Sequence, residues 1–344
     1  MFAIMKFAFF ELEPWEEGYL RDRLQPLGLS PDFEPVFSTS RLTPKNAAEY
    51  ASQEGIAIFV WTRVDAELLT ILPRLRVVLT MSTGYDHIDL QRCAERAITV
   101  CNVPHYGENT VAEHTFALIL ALSRKVHHAY VRAQRGDFSI EGLRGFDLNG
   151  KTLGVIGAGN IGLHVIRIAR GFGMRVLAYD MKPHPLLAEV LGFEYADLDT
   201  VLKKADILSL HVPASPTTYH LINRETLEKV KRGALLINTA RGTVVDSDAL
   251  LWALEQGILA GAGLDVIEGE EFIKEERELV NLPVAAETLR KVVQTHLLLR
   301  REDVVFTPHI GFNSREALSR ILDTTASNLK AFLSGSPENR VSAT

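Results

Sequence analysis

Short apolar runs alternate with amphipathic stretches along most of the chain. The apolar runs have the length of buried strands, whereas the stretches between them repeat their apolar residues at helical spacing. Strands that alternate with helices in this way form a parallel sheet with helices on both faces. In the first part of the chain, strands are predicted at residues 4–9, 33–37, 56–60, 77–81 and 98–101, and helices at 14–24, 65–72 and 90–96.

Five such strands suit a small flavodoxin-like unit, and a second series of strands follows it. Between the two series, residues 109–124 form a long predicted helix with Asn109 or Thr110 as its cap. A last amphipathic stretch covers residues 315–333. The second series has six strands, the count of a complete doubly wound sheet, at residues 152–156, 175–179, 207–210, 235–238, 261–266 and 304–306.

One segment, residues 268–301, interrupts this alternation before the last strand. It is rich in charged residues and leucine, so it is predicted to form one or two surface helices. Its carboxylates are interpreted mostly as a solvated face, except for Glu270, which stays close to the end of the preceding strand.

Composition sets the broad class of the protein. The chain has 344 residues, which is more than one hydrophobic core usually supports, so two domains are expected. A formal charge of −6 without a long basic run argues against a nucleic-acid partner. The apolar N-terminal run is interrupted by Lys6 and is predicted to be a strand, not a signal peptide, and no run has the length of a membrane span. Cys93 and Cys101 have no metal or redox spacing, which suits a reducing cytoplasm.

A glycine-rich loop joins the first predicted strand of the second series to the helix that follows. If a dinucleotide binds there, Gly157 allows the sharp turn, Gly159 lets the backbone approach the pyrophosphate, and Gly162 lets the helix pack closely against the strand. The pyrophosphate would rest on the N–H groups and positive dipole of the helix N-terminus.

An acidic residue, Asp180, closes the next strand, near the spacing of about 20 residues expected of such a motif. Its carboxylate would accept hydrogen bonds from the ribose hydroxyls and repel a 2′-phosphate, which favours NAD over NADP, although Lys182 is close enough to blur that preference. The alternative interpretation, an ordinary turn between buried elements, leaves Asp180 unexplained.

Several chemically active side chains follow the later strands of the second series. Because the carboxyl ends of parallel strands meet at one edge of the sheet, these side chains are expected to lie near the glycine loop. A guanidinium that binds a substrate carboxylate, an imidazole that donates a proton and a carboxylate beside it are what reduction of a carbonyl by hydride requires. Taken singly, such an arginine is usually a surface pair and such a histidine is usually structural. The residues are Arg241, Asp265, Glu270 and His309.

The chain resembles the D-2-hydroxyacid dehydrogenases over nearly its whole length. The matching stretches are GVIGAGNIG, HVPASPTTYHLIN, LLINTARGTVVD, GAGLDV and TPHIGF. The resemblance implies that His309 is the acid/base, with Glu270 as its partner and Arg241 as the third member of a catalytic trio, and that Asp265 holds the nicotinamide carboxamide. The NAD site it implies comprises Gly157, Gly159, Asn160, Ile161, Asp180, His211, Val212, Pro213, Thr239, Ala240, Arg241 and Asp265.

The same resemblance implies the domain organisation. Residues 1–104 with 309–344 would form a flavodoxin-like substrate domain, into which residues 105–308 insert a Rossmann NAD-binding domain. A homodimer through the NAD-binding domains is implied, with the helix at 109–124 in the contact. Asp86, His87 and Asp89 have a metal-like spacing, but the resemblance makes them structural, so no metal is expected. The implied substrate-binding residues are Thr83, Gly84, Tyr106, Trp61, Arg241 and Phe312.

Within the family, the long segment after GLDVIEGEE, the HIGF motif at His309 and Phe312 are similar to bacterial D-lactate dehydrogenases, which implies reduction of pyruvate to D-lactate. One departure is Trp61, where the lactate enzymes often have a tyrosine. Its larger ring could shrink the pocket or stack on an aromatic 2-oxo acid. Reduction of glyoxylate, hydroxypyruvate or a bulkier 2-oxo acid therefore stays open, as does the role of an NAD-sensing corepressor found in another branch of the family.

Overall fold

The computed structural model describes residues 5–25, 33, 35–270 and 286–342. The chain separates into two compact units, one made of Met1–Tyr106 and Ser314–Thr344, the other of Gly107–Asn313. The chain passes into the second unit after Tyr106 and returns to the first after Asn313, whereas the sequence predicts these boundaries after residues 104 and 308. His309 and Phe312 therefore belong to the second unit, together with the glycine loop.

Strands and helices alternate through both units. The strands are β1 (Phe7–Phe9), β2 (Val36–Phe37), β3 (Gly55–Ile58), β4 (Val77–Thr80), β5 (Thr99–Cys101), β6 (Thr152–Ile156), β7 (Arg175–Tyr179), β8 (Glu194–Tyr195), β9 (Ile207–Leu210), β10 (Ala234–Asn238), β11 (Leu259–Leu264), β12 (Val304–Phe306) and β13 (Arg340–Val341). The α-helices are α1 (Pro14–Leu24), α2 (Ala66–Ile71), α3 (Leu90–Glu95), α4 (Glu108–Arg124), α5 (Val126–Gln134), α6 (Asn160–Gly171), α7 (Pro185–Leu191), α8 (Leu198–Lys204), α9 (Arg224–Glu228), α10 (Ser247–Glu255), α11 (Ala286–Leu299) and α12 (Arg315–Leu333).

The sheet of the first unit has the order β13-β5-β4-β3-β1-β2. Its parallel part, in the order 2-1-3-4-5, is the flavodoxin-like arrangement predicted from the sequence. The edge strand β13 runs antiparallel to β5 and was not predicted, because two residues, Arg340 and Val341, leave no apolar run to detect. Helices α1 and α12 lie together, and the Asp323 carboxylate accepts hydrogen bonds from Tyr19 and Arg23.

The sheet of the second unit is parallel throughout, in the order β12-β11-β10-β9-β6-β7-β8. This is the Rossmann order with one strand beyond the usual six, and β8 is the other strand that the sequence did not predict. The strand order reverses between β6 and β9, which creates a crevice at their carboxyl ends. The glycine loop leaves β6 at this point, so the fold places it at the usual ligand site of such a sheet.

Two details of the helices differ from or extend the prediction. Helix α4 begins at Glu108, with Gly107 as its N-cap and no capping side chain, so the predicted caps Asn109 and Thr110 lie inside its first turn. Helix α11 lies in the segment predicted to form surface helices, whereas Glu271, Glu275, Glu276 and Glu278 fall outside the described residues. Over the described ranges, no helix combines the length and apolar character needed to cross a membrane.

Candidate active site

The glycine loop closes tightly against the neighbouring strand end. Gly157 has a φ of +96°, and a Cβ on it would lie 2.6 Å from the His211 carbonyl oxygen, so only glycine fits there. A Cβ on Gly162 would lie 2.1 Å from the Gly157 oxygen, which brings α6 directly onto the loop. Gly159, the N-cap of α6, instead faces open space where a Cβ would stand. The backbone before Asn160 and Ile161 therefore forms a cradle that suits a pyrophosphate.

Asp180 ties the end of β7 to this loop. One carboxylate oxygen, Oδ2, accepts the Ala158 N–H at 2.7 Å, and Oδ1 accepts the Lys182 N–H at 2.8 Å. The carboxylate is thus held in place by backbone groups while its remaining lone pairs can accept ribose hydroxyls. The arrangement fits a dinucleotide, with the adenosine ribose at the end of β7.

The segment after β9 lies on the other side of the loop. The His211 N–H donates to the Ile156 carbonyl at 2.8 Å, which fixes the start of the His211–Val212–Pro213 turn. The ring Nε2 lies 2.8 Å from the Ser209 hydroxyl, and Nδ1 is buried with no hydrogen-bond partner among the described residues. Although the residue as a whole is half-buried, burial of its ring lowers the pKa of His211 to about 3. The imidazole is therefore neutral, so what His211 offers a cofactor is its position and backbone, not a charge.

A buried asparagine organises the loop after β10. Asn238 donates from Nδ2 to the Arg241 carbonyl at 2.9 Å and accepts the Ala240 N–H at 3.0 Å, so one side chain fastens both ends of the loop. The Thr239 hydroxyl lies 3.0 Å from that of Thr115 on α4. Sequence reasoning missed Asn238 and Thr115 as positioning groups, although a polar residue ending a buried strand was a usable signal.

Arg241 follows that loop and lies beside the turn that leads to Glu270. A Cβ on Gly242 would lie 2.3 Å from the Ile267 carbonyl carbon and 2.6 Å from the Glu268 nitrogen, so the two backbones touch. The Glu270 N–H in turn donates to the Ile267 carbonyl at 3.2 Å. The neighbouring strands β10 and β11 therefore bring the loop of Arg241 and the turn of Glu270 to the same edge of the sheet.

His309 meets Glu270 at this edge. Its Nδ1 lies 3.1 Å from Glu270 Oε1, and the two side chains are 17% and 19% exposed, so the pair is shielded but not sealed from solvent. The other carboxylate oxygen, Oε2, is buried without a hydrogen-bond partner among the described residues. The Phe312 ring stands edge-on to the imidazole, with centroids 6.3 Å apart. A carboxylate at Nδ1 fixes the orientation of the ring and leaves Nε2 available to a substrate.

Asp265, 2% exposed, holds the segment that carries His309. Its Oδ1 accepts the Thr307 hydroxyl at 2.6 Å and the Ile310 N–H at 2.9 Å, and Oδ2 accepts the Gly311 N–H at 2.8 Å. Burial alone would raise the pKa of this carboxyl, but hydrogen bonds from His114, Thr307 and the Ile310 N–H outweigh it and lower the pKa. His114 and Thr307 are two further groups that sequence reasoning missed. Thr307 begins the TPHIGF motif without a role of its own being assigned to it, and His114 lies in none of the matching stretches.

The backbone of His309 is in the left-handed region, with a φ of +57°. Such a conformation costs a non-glycine residue about 1–2 kcal/mol. A hydrogen bond to a charged group contributes about 1.5–3 kcal/mol. The hydrogen bonds to Asp265 therefore outweigh the strain at His309, which explains why a buried carboxylate is placed there. The predicted contact of Asp265 with the nicotinamide carboxamide stays a prediction.

Four of the six residues predicted to bind substrate lie in the first unit, namely Trp61, Thr83, Gly84 and Tyr106, whereas Arg241 and Phe312 belong to the second. The Thr83 hydroxyl donates to the Val103 carbonyl at 2.9 Å, and the Thr83 carbonyl accepts Asn102 Nδ2 at 2.9 Å. The Ser82 hydroxyl donates to the Gly84 carbonyl at 2.6 Å. These bonds define a fixed loop after β4, and its predicted role in binding a substrate carboxylate stays a prediction.

The remaining predicted substrate residues have contacts of their own. The Trp61 N–H donates to Glu11 Oε2 at 3.0 Å, and burial raises the pKa of Glu11. The Tyr106 carbonyl accepts Arg320 Nε at 2.7 Å. His87 of the metal-like triplet lies 3.2 Å from the Thr80 hydroxyl. Over the part of the chain that the structure describes, no group of three or more potential ligand side chains could hold a metal ion.

Comparison with known proteins agrees with this geometry. The model of the D-isomer specific 2-hydroxyacid dehydrogenase NAD binding domain matches residues 116–311, more than half of the chain. The D-lactate dehydrogenase of Escherichia coli is 36% identical over 328 residues, 94% of this chain and 96% of that protein. The glyoxylate reductase of Thermococcus litoralis is 38% identical over 296 residues, 84% of this chain and 83% of that protein.

One solved structure is similar over nearly the whole chain. The D-lactate dehydrogenase of Aquifex aeolicus, crystallised with NAD and lactic acid, superposes with a TM-score of 0.85 at 36% identity, over 96% of each chain. Similarity over 96% of the chain extends to residues of both units. The chain therefore belongs to the D-2-hydroxyacid dehydrogenases, and it is an NAD-dependent oxidoreductase of that family.

Proposed function

We propose that this enzyme reduces pyruvate to D-lactate with NADH. The observation that carries the chemistry is the contact between His309 and Glu270 at the edge of the sheet where the glycine loop also lies. The choice of pyruvate is supported by the D-lactate dehydrogenases of Escherichia coli and Aquifex aeolicus, which align with nearly the whole chain.

Three side chains share the work in this proposal. Bound NADH supplies the hydride that adds to C2 of the 2-oxo acid. Arg241 binds the substrate carboxylate through a two-pronged, charge-assisted pair and polarises the neighbouring carbonyl. His309 gives a proton from Nε2 to the C2 oxygen as negative charge develops there. Glu270 accepts a hydrogen bond from Nδ1, which fixes the orientation of the ring toward the substrate.

A second substrate, glyoxylate, is favoured by one observation. The glyoxylate reductase of Thermococcus litoralis is as similar in sequence as the lactate enzymes are. Glyoxylate lacks the methyl group of pyruvate, so a pocket narrowed by Trp61 would select it. Trp61→Tyr separates the two: we expect that substitution to raise the preference for pyruvate if the ring limits the pocket.

The test is a panel of 2-oxo acids assayed with NADH, combined with chiral analysis of the product and two arginine variants. Arg241 follows β10, whereas the exposed Arg232 precedes the same strand and serves as the matched control. We expect Arg241→Ala to lower kcat/KM for pyruvate by about 100-fold to 1,000-fold, since a bidentate pair is worth two charge-assisted hydrogen bonds. Arg232→Ala is expected to leave it within about twofold.

Three outcomes count against the proposal. If Arg241→Ala and Arg232→Ala behave alike, Arg241 does not bind the substrate carboxylate. If the wild-type protein prefers glyoxylate or a bulkier acid, the substrate is wrong while the mechanism stands. If NADH binds but no 2-oxo acid is turned over, the NAD-sensing alternative is favoured.

We also propose that the enzyme is a homodimer formed by its second units. Large apolar side chains are exposed on α5 and in the segment after it, including Phe138 at 82% and Ile140 at 86%. A patch of this kind commonly marks a protein–protein interface. It lies next to α4, which the sequence had suggested for the contact. Light scattering should give twice the chain mass of 38.2 kDa, and Ile140→Arg should reduce it to that of the monomer. The other exposed residues of this patch are Val126, Tyr130 and Val131.

A further inference from the structure

A histidine outside the proposed catalytic trio lies behind the segment that carries His309. His114, on α4, is 17% exposed. Its Nε2 lies 2.9 Å from the Thr307 hydroxyl and 3.2 Å from Asp265 Oδ1. The same ring nitrogen therefore contacts Thr307, which precedes His309, and Asp265, which accepts hydrogen bonds from the two residues after His309.

The direction of these hydrogen bonds follows from the donors that are available. The Thr307 hydroxyl gives its only hydrogen to Asp265 Oδ1. Toward His114, Thr307 can therefore only accept, and the carboxylate of Asp265 can only accept as well. His114 Nε2 thus carries the proton and donates into the pair, so that threonine, aspartate and histidine form one directed network.

The segment held by this network has no room to adjust. Its backbone N–H groups at Ile310 and Gly311 both donate to Asp265, and the His309 N–H donates to the Asp265 carbonyl at 2.8 Å. A Cβ on Gly311 would lie 2.8 Å from Asp265 Oδ2 and 3.4 Å from His114 Cδ2. The backbone therefore passes directly over the carboxylate and the imidazole.

We propose that His114 is a positioning residue: by orienting Asp265 and Thr307, it keeps His309 in the left-handed backbone conformation from which its ring meets Glu270. The inference rests on the proposed function, because it concerns the proton donor of that reaction. His114 acts here through its neighbours and need not touch substrate or cofactor. Loss of its donor relaxes the segment and misplaces the imidazole, which slows the chemical step more than it weakens substrate binding.

The test compares two replacements of similar size. His114→Met removes the donor, whereas His114→Gln keeps an N–H group at a similar reach. We expect His114→Met to lower kcat for pyruvate reduction about tenfold or more, with KM changed less than threefold. His114→Gln should recover most of the lost rate. Amide hydrogen exchange in the peptide spanning residues 307–313 should be faster in the methionine variant and close to wild type in the glutamine variant.

Two histidine variants separate the possible failures. His309→Gln measures what loss of the proton donor costs, on whichever 2-oxo acid the wild-type enzyme reduces best. If His309→Gln stays active, the proposed mechanism fails regardless of His114. If His309→Gln is inactive while His114→Met keeps at least half of the wild-type kcat, or its exchange is unchanged, the role of His114 is refuted. His220→Gln is the matched control, because His220 also contacts carboxylates in this unit, and its kcat should stay within twofold.

A second pair of variants covers the case in which His114→Met does not fold. Thr307→Val removes the bridging hydroxyl at nearly constant volume, and Thr307→Ser keeps it. The network predicts a loss of kcat and faster exchange for the valine variant, and near wild-type values for the serine variant. Equal kcat in the two threonine variants would overturn the inference.

Discussion

Among the described residues of the second unit, two histidine–glutamate pairs have similar geometry. Nδ1 of His309 lies 3.1 Å from Glu270, and Nε2 of His220 lies 3.1 Å from Glu268. Both histidines have left-handed backbones, with φ values of +57° and +48°. Separation and backbone strain therefore do not distinguish a proton donor from a structural pair in this molecule.

The two pairs differ in the contacts that their polar atoms make. His220 has a second carboxylate, Asp246, at 4.0 Å from its other ring nitrogen, so both sides of its ring face negative charge. Glu270, in contrast, keeps a buried oxygen without a partner among the described residues. Buried polar groups are nearly always paired, and an exception commonly indicates a functional site. This difference supports the proposal that the His309 pair takes part in the chemistry, whereas the His220 pair contributes to stability.

Removing each imidazole in turn tests this difference, with the largest expected effect. His309→Gln should lower kcat for pyruvate reduction by about 100-fold to 10,000-fold, the usual contribution of a general acid. His220→Gln should leave kcat within about twofold while lowering the thermal midpoint, because it removes the imidazole that lies between the partly buried carboxylates of Glu268 and Asp246. Steady-state rates and thermal melts of the two proteins give both quantities. Equal losses of kcat would show that the two pairs cannot be separated by function.

A third imidazole, His211, contrasts with both pairs because no carboxylate contacts it among the described residues. Its pKa of about 3 when folded is below the ordinary value of about 6.5, so the folded state binds its proton less readily than the unfolded chain. Stability from this group is fully present above pH 6.5 and is lost as the pH falls toward 3. When the pH falls from 7.5 to 5, the free energy of unfolding of the wild-type protein should decrease by about 2 kcal/mol more than that of His211→Gln.

Thermal midpoints measured at both pH values test this expectation. The wild-type midpoint should fall by several degrees more than that of the variant. If the difference in thermal midpoint between the two proteins is the same at both pH values, the His211 ring can be protonated in the folded state. His211 would then no longer contrast with His309 and His220, whose rings contact carboxylates.

Much of the fold followed from the sequence because buried parallel strands are continuous apolar runs. The runs at β6 and β9, for example, are fully buried in the structure. Strands β8 and β13 were missed because two residues carry no periodicity, and their pairing depends on neighbours distant in sequence. Helix α4 began one residue earlier than expected, since Gly107 caps it without a side-chain signal.

The residues of the candidate site could likewise be predicted only in part. The glycine loop, Arg241 and His309 were predicted because their positions after strands are visible in a single sequence. His114 was not predicted because it acts across the fold: it reaches Thr307, which is 193 residues away. Asn238 acts locally, on Ala240 and Arg241, and it was missed because the pattern of a buried strand does not show what its last side chain contacts. The contacts that hold a site in place are therefore visible only when the chain is folded.

We propose that Glu270 orients the proton donor, whereas Glu268 contributes to stability alone. The decisive measurement is kcat for pyruvate reduction in Glu270→Ala and Glu268→Ala, with the wild-type protein as the reference. Without the carboxylate at its Nδ1, the His309 ring loses the contact that holds it, so kcat of Glu270→Ala should fall by about tenfold or more. We expect kcat of Glu268→Ala to stay within about twofold of the wild-type value. An unchanged kcat in Glu270→Ala, or an equal fall in both variants, would refute this role of Glu270.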